Sequence, residues 1–155
     1  MNGHRRRKAG FTLIEVLIVI VVIAVLASIV IPRLMGAGRQ AKESSLRAHL
    51  QELRNAINLF QSHTGLYPAV LGDIMNPATS PPATGVDVTG TSQPISAADY
   101  KGPYLTTASM ALPNNPITGG NGVGSDWVYS TTAPTVGEIH AASGTALDGT
   151  DYSTW

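Results

Sequence analysis

The chemistry on offer in this 155-residue chain is concentrated in one carboxylate. Glu15 is the only charge between Phe11 and Ile31, and thirteen of the sixteen residues from Val16 to Ile31 are Val, Ile or Leu. A carboxylate at mid-membrane costs about 2.5 to 3.5 kcal/mol, so its retention argues for a use. Phe11 lies four residues earlier, one turn away on a helix. If the basic leader ending in Lys8-Ala9-Gly10 were cut after Gly10, the new amine of Phe11 would lie within a turn of Glu15, and the freed helix start would favour negative charge. Ammonium and carboxylate would then neutralise each other, within one chain or between neighbouring chains. The second arrangement would set the axial register of stacked helices.

Nothing else in the sequence assembles a reaction centre. His4, His49, His63 and His140 are scattered, and His49 and His63, both in the helical stretch, are fourteen residues apart, too far to share a metal. Cysteine is absent, and there is no Walker loop, Rossmann fingerprint or Gly-x-Ser-x-Gly elbow. An enzyme needs some such constellation, so the residues point away from catalysis.

The elements that position Glu15 follow from hydropathy. Residues 11–31 as a helix span about 31 Å, close to the roughly 30 Å hydrocarbon thickness of a bilayer. Thirteen aliphatic residues contribute about −4 to −8 kcal/mol to insertion, which outweighs one acid near the helix end. A secretory signal peptide or signal anchor is the competing reading, but the apolar run slightly exceeds a usual h-region and Pro32-Arg33 supplies no small-x-small cleavage site. Arg5, Arg6, Arg7 and Lys8 on one flank balance Arg33, Arg39, Lys42 and Arg47 on the other, although the leader charges are denser at the membrane edge.

Past the apolar run, Leu46, Leu50, Leu53, Ile57 and Phe60 recur at helical spacing and predict an amphipathic helix over residues 33–63, stopped at Thr64-Gly65. Residues 36–45 lack that stripe and read as a neck on which no head packs. Pro32 removes a backbone donor and predicts a kink, with Gly36 and Gly38 weakening the next turn by about 1 kcal/mol each. From residue 64 on there are only fifteen Ile, Leu and Val, no Phe and no disulfide, so this part must borrow a hydrophobic surface from the helix. Residues 74–97, with Asn76-Pro77 and Pro81-Pro82, read as a loop; Trp127 to Thr131 and Gly137 to Ala141 read as a hairpin around Ala133-Pro134-Thr135, with a third element near residues 151–155. Residues 11–155 carry six basic and ten acidic groups, which argues against nucleic acid as a direct ligand.

Gly10-Phe11-Thr12-Leu13-Ile14-Glu15, the apolar run and Pro32 resemble the start of type IV pilins and type II secretion pseudopilins. Gly65-Leu66-Tyr67-Pro68, Gly102-Pro103-Tyr104-Leu105 and Pro113-Asn114-Asn115-Pro116 before Trp127-Val128-Tyr129 look like the body of a major pseudopilin more than that of disulfide-closed pilins. The resemblance implies cleavage between Gly10 and Phe11 and N-methylation of Phe11 by a prepilin peptidase, with Glu15 and Pro32 serving assembly. It implies an α+β fold in which a long N-terminal helix, transmembrane in its first half and amphipathic in its second, packs on a small antiparallel sheet. The expected divisions are a leader at 1–10, a membrane helix at 11–31, an extracytoplasmic helix at 32–64 and a head at 65–155 with a variable loop at 74–97.

The implied function is a structural subunit of a type II secretion pseudopilus, an inner-membrane single-pass protein with its C-terminal domain in the periplasm until it enters a filament. The alternative is a surface type IV pilin in adhesion, twitching motility or DNA uptake. Implied partners are copies of itself, the peptidase, an inner-membrane assembly platform and other pseudopilins or pilins. No cofactor is expected beyond calcium, which some major pseudopilins bind near the C-terminus; Asp148 and Asp151 flank a turn there, but calcium needs six to eight oxygens and a plain Asp-Gly turn explains the same residues.

Overall fold

The computed structural model describes residues 11–155, an α+β chain in the order α1 (Leu13–Thr64), β1 (Tyr67–Pro68), a 3₁₀ turn (Leu71–Met75), β2 (Thr84–Val86), β3 (Ser92–Pro94), β4 (Trp127–Tyr129), β5 (Ile139–Ala141) and a final 3₁₀ turn (Tyr152–Thr154). It divides into two compact units after Arg39.

In the first unit, the Thr12 carbonyl accepts from the backbone N–H of Glu15 at 3.1 Å and of Val16 at 3.4 Å, which starts α1. The apolar side chains that follow are uncovered all round: Leu17 is 49% exposed, Ile23 59% and Ile31 56%. Mean hydropathy reaches 3.3 over an eighteen-residue window with none of it buried, so by length and composition this stretch is able to cross a membrane. Helical backbone continues through Pro32, Gly36 and Gly38. Pro32, where a kink is expected, leaves the helix unbroken, because one missing donor inside a 52-residue helix does not undo turns already nucleated on both sides.

In the second unit, Leu46, Leu50, Leu53, Ile57 and Phe60 are each at most 1% exposed, so the predicted stripe is the core face, and Ala56 joins it at 2%. The helix stops as its last residues dictate. Gly65 takes φ +73°, its N–H bonds the Gln61 carbonyl at 2.8 Å, and the Thr64 hydroxyl donates to the Phe60 carbonyl at 2.9 Å. Onto this face pack Leu71, Ile74, Tyr100, Leu105, Trp127, Ile139, Ala141 and Tyr152. Phe60 meets Tyr100 and Tyr104 edge-on at 5.8 and 5.6 Å between ring centroids. The head thus borrows its core from α1, as its aliphatic poverty requires.

Two small antiparallel sheets stand where one was expected. The first has the order β1-β2-β3, with Tyr67 opposite Val86 and Gly85 opposite Gln93. The second pairs β4 with β5, Trp127 opposite Ala141 and Tyr129 opposite Ile139, which is the predicted hairpin. The Tyr129 hydroxyl ties the sheets together by donating to the Pro68 carbonyl at 2.8 Å, and burial pushes that phenol above its ordinary range.

The loop reading of residues 74–97 needs correction, since β2 and β3 lie inside it. Their turn is closed by Asp87, whose N–H bonds the Thr91 carbonyl at 2.9 Å while its Oδ1 accepts from the backbone N–H of Thr89 and of Thr91. Gly90 supplies the φ of +84° that the turn demands. Three-residue strands are too short to display alternation, and β3 is exposed throughout, so periodicity had nothing to report.

Gly137 also has a positive φ, +83°, and a Cβ there would fall 2.2 Å from the Tyr67 ring. Trp127→Ala should destabilise the head by about 3 to 5 kcal/mol and Gly137→Ala by about 1 to 3 kcal/mol, both read from urea unfolding of the full chain in detergent.

Candidate functional site

Phe11 and Glu15 stand at the head of α1, and both are exposed. The Thr12 hydroxyl lies 3.5 Å from Glu15 Oε2, at the outer limit of a hydrogen bond, so the carboxylate has no strong partner within its own turn. Gly10 and the rest of the leader lie outside the described residues. Pro32 is in mid-helix.

Sequence reasoning missed a second acid. Glu43, assigned to a neck free of the head, is only 8% exposed. Its Oε1 accepts from the Leu147 N–H at 2.8 Å and from the Tyr152 hydroxyl at 3.0 Å. The head therefore reaches back along α1 at least to residue 43, which corrects the expectation that it packs only beyond residue 45. The signal was available, because Glu43 lies three residues before Leu46 and seven before Leu50, on the same face of the helix. An acid at a core position reads as solvent-facing until its partners, more than a hundred residues away in sequence, are known.

Arg47 and Arg54 continue the contact. Arg47 stacks over the Trp155 ring at 4.0 Å and stands 3.8 Å from Asp148 Oδ2. Arg54 donates to the Ile139 carbonyl at 3.0 Å and to the Trp155 carbonyl.

Asp148 and Asp151 are each turned to their own turn. Asp148 Oδ1 accepts from the Thr150 hydroxyl at 2.6 Å and the Thr150 N–H at 3.0 Å, bonds that, with Arg47 nearby, hold its pKa below the ordinary 3.8. Asp151 caps the final 3₁₀ turn through the Ser153 N–H at 2.8 Å, and hydrogen bonds from Ser153 lower its pKa too. The histidines are kept apart: His49 contacts the Asn114 carbonyl, His63 the Tyr104 hydroxyl and His140 the Ala141 carbonyl. Among the described residues no group of three or more His, Cys, Asp or Glu side chains is placed to hold a metal ion.

What distinguishes the molecule chemically is thus its N-terminal segment, and comparison with known proteins bears on that segment directly. Residues 5–31 match the family described as prokaryotic N-terminal methylation motif. The chain carries a prepilin-type methylation motif. The chain is also 36% identical over 82 residues to the type II secretion system core protein G of Aeromonas hydrophila, covering 51% of this chain and 57% of the relative. It is 35% identical over 80 residues to the protein of the same name from Dickeya chrysanthemi, covering 50% and 52%, and 35% identical over 79 residues to that of Escherichia coli K12, covering 49% and 54%. The chain spans about half the length of these relatives. No solved structure matches it. The methylation motif and this similarity together bear out the resemblance to the pilin and pseudopilin family read from Gly10 to Glu15.

Four aspartates have lowered pKa values: Asp87 through the Thr89 hydroxyl, Asp126 through Thr118, Asp148 through Thr150 and Asp151 through Ser153. Groups whose folded pKa is depressed contribute stability that is fully present above the unfolded value, 3.8 here, and lost as pH falls through the folded values. Asp73 runs the other way, because desolvation raises its pKa, and its protonation offsets part of the loss. Thermal midpoints followed by circular dichroism should therefore stay level from neutral pH down to about 4 and decline below it.

Proposed function

We propose that this chain is a structural subunit of a type II secretion pseudopilus, cut between Gly10 and Phe11, N-methylated on Phe11 by a prepilin peptidase and polymerised through its N-terminal helix. The observation that carries this reading is an apolar helix start that none of the described residues covers, headed by Glu15 and lying within the methylation motif. Such a surface has two stable environments, lipid and other helices. Lipid stores the subunit: residues 11–31 span the inner membrane, with residues 32–64 and the head at 65–155 on the periplasmic side. Other helices receive it, once the assembly platform has drawn it out of lipid to join copies of itself and other pseudopilins.

Glu15 gives the transfer a register. In hydrocarbon an unpaired carboxylate is unfavourable, and the amine released at Phe11 of an incoming subunit is the nearest opposite charge a stacked helix can offer. Pairing the two recovers the insertion cost at one axial offset only. Pro32 serves the same assembly by leaving the Ser28 carbonyl without its helical donor near the C-terminal end of the apolar stretch. The similarity to proteins named type II secretion system core protein G supports the secretion reading over a surface pilus.

Glu15→Ala and Glu15→Leu should leave leader cleavage largely intact and reduce filament incorporation at least about tenfold, the equivalent of 1.4 kcal/mol. Cleavage is read by mobility shift and incorporation by immunoblot of sheared filaments; normal incorporation of both variants would remove the pairing idea. Deletion of the gene should abolish exoprotein release, whereas loss of long surface fibres with secretion intact would mark a type IV pilin instead.

A further inference from the structure

The last twelve residues form a closed loop with its own ladder. The N–H of Ala146 bonds the Thr150 carbonyl at 2.8 Å, that of Gly149 the Ala146 carbonyl at 3.0 Å, and that of Tyr152 the Gly144 carbonyl at 2.8 Å, with Thr145 bridged to Asp151. At the tip Gly149 takes φ +86°. Tyr152 and Trp155 stack edge-on at 4.9 Å, and the Trp155 indole donates to the Thr150 hydroxyl at 2.9 Å.

This loop is where the pseudopilin resemblance implies calcium, and the residues present do not fit that ion. Calcium takes six to eight oxygens at about 2.3 to 2.6 Å, from carboxylates whose lone pairs face it. Asp148 Oδ1 instead faces two donors of Thr150, Asp151 Oδ1 faces the Ser153 N–H, and Glu43 Oε1 faces the Leu147 N–H and the Tyr152 hydroxyl. The cleft that brings two of these acids together, about 240 Å³ lined by Gln40, Glu43, Ser44, Arg47, Leu147 and Asp148, already holds a cation in the Arg47 guanidinium. A divalent ion entering it would meet a fixed positive charge 3.8 Å from one of its own ligands.

We propose that the loop from Gly144 to Trp155 is fastened to α1 by a metal-free clasp, in which Glu43 takes up the loop's N–H and hydroxyl donors and Arg47 takes up its carboxylate and its indole. The division of labour follows from burial. Glu43 works inside, where a hydrogen bond to a charged acceptor is strong and its loss takes the acceptor from the Leu147 N–H. Arg47 works at the rim, where its ion pair to Asp148 is weak and its stacking on Trp155 covers the ring. Arg54, two turns further along the same face, holds the last carbonyl. The helix thus performs with two side chains, four residues apart, what an ion would do by drawing loop carboxylates together. The clasp stands independently of polymerisation, since every contact lies within one chain.

Full-length protein in detergent micelles, compared in about 10 mM calcium and in EGTA, tests the metal half; that concentration is about tenfold above the weakest calcium modules. Thermal midpoint and amide exchange across residues 144–155 should be the same in both; a midpoint raised by several degrees or a loop slowed by calcium would overturn the proposal. The clasp half is tested by Glu43→Ala, which should speed exchange of the Leu147 amide at least about tenfold with the β2–β3 hairpin unchanged, with and without calcium. Should Glu43→Ala fail to fold, Arg47→Ala, a change at the exposed rim, should still move Trp155 fluorescence toward that of a solvated indole. Unchanged loop exchange in Glu43→Ala, or unchanged Trp155 emission in Arg47→Ala, would overturn the clasp.

Discussion

One helix with two apolar surfaces governs this protein. From Leu13 to Ile31 the apolar surface runs all the way round and none of the described side chains covers it; from Leu46 to Phe60 it narrows to a stripe that is almost wholly buried. Apolar area in water is unfavourable in proportion to its extent, so the first surface demands an environment from outside the molecule and the second demands a domain. The rest of the chain answers the second demand. With few aliphatic residues of its own, the head completes a core only by surrounding the stripe, with Phe60, Tyr100 and Tyr104 making an aromatic corner and Trp127 filling the centre.

That dependence explains how a disulfide-free domain of such short strands stays closed. Side chains that would normally come from a broad sheet are replaced by hydrogen bonds at particular points: the Tyr129 hydroxyl joins the sheets, the Trp127 indole donates to the Pro113 carbonyl at 2.9 Å, and buried Asn115 bonds the Asp126 carbonyl at 2.8 Å through its amide and the Ile117 N–H at 2.9 Å through its oxygen. The C-terminal loop is pinned in the same way. Glu43, Arg47 and Arg54 flank the apolar stripe and convert a helix into a post to which a distant segment is tied.

Much of this was legible before any coordinates. The stripe from Leu46 to Phe60, the stop at Thr64-Gly65 and the hairpin from Trp127 to Ala141 follow from local rules: helical periodicity, a glycine that accepts positive φ, and apolar runs around a turn. The Asp87 to Gly90 turn obeys a local rule as well, yet it was hidden in a Pro- and Ser-rich stretch whose strands expose nearly every side chain. Glu43 falls on the buried face by its spacing, but its role was hidden because its partners, Leu147 and Tyr152, lie more than a hundred residues on. Whether an acid is a core hydrogen-bond acceptor, a turn cap or a metal ligand depends on donors far along the chain, and spacing along the chain does not encode those.

By itself, then, the sequence determined the existence of an uncovered apolar rod with an acid at its start, the motif around Gly10 and Phe11, the buried face of the helix and the place where that helix ends, because each depends on neighbours within a turn or two. How far down the helix the head reaches, the sharing of one sheet's work between two, and the tying of the final loop by Glu43 and Arg47 emerge when the chain closes in three dimensions. Those outcomes depend on which distant groups meet, and the burial that turns an ordinary glutamate into an anchor exists only once the chain has closed around it.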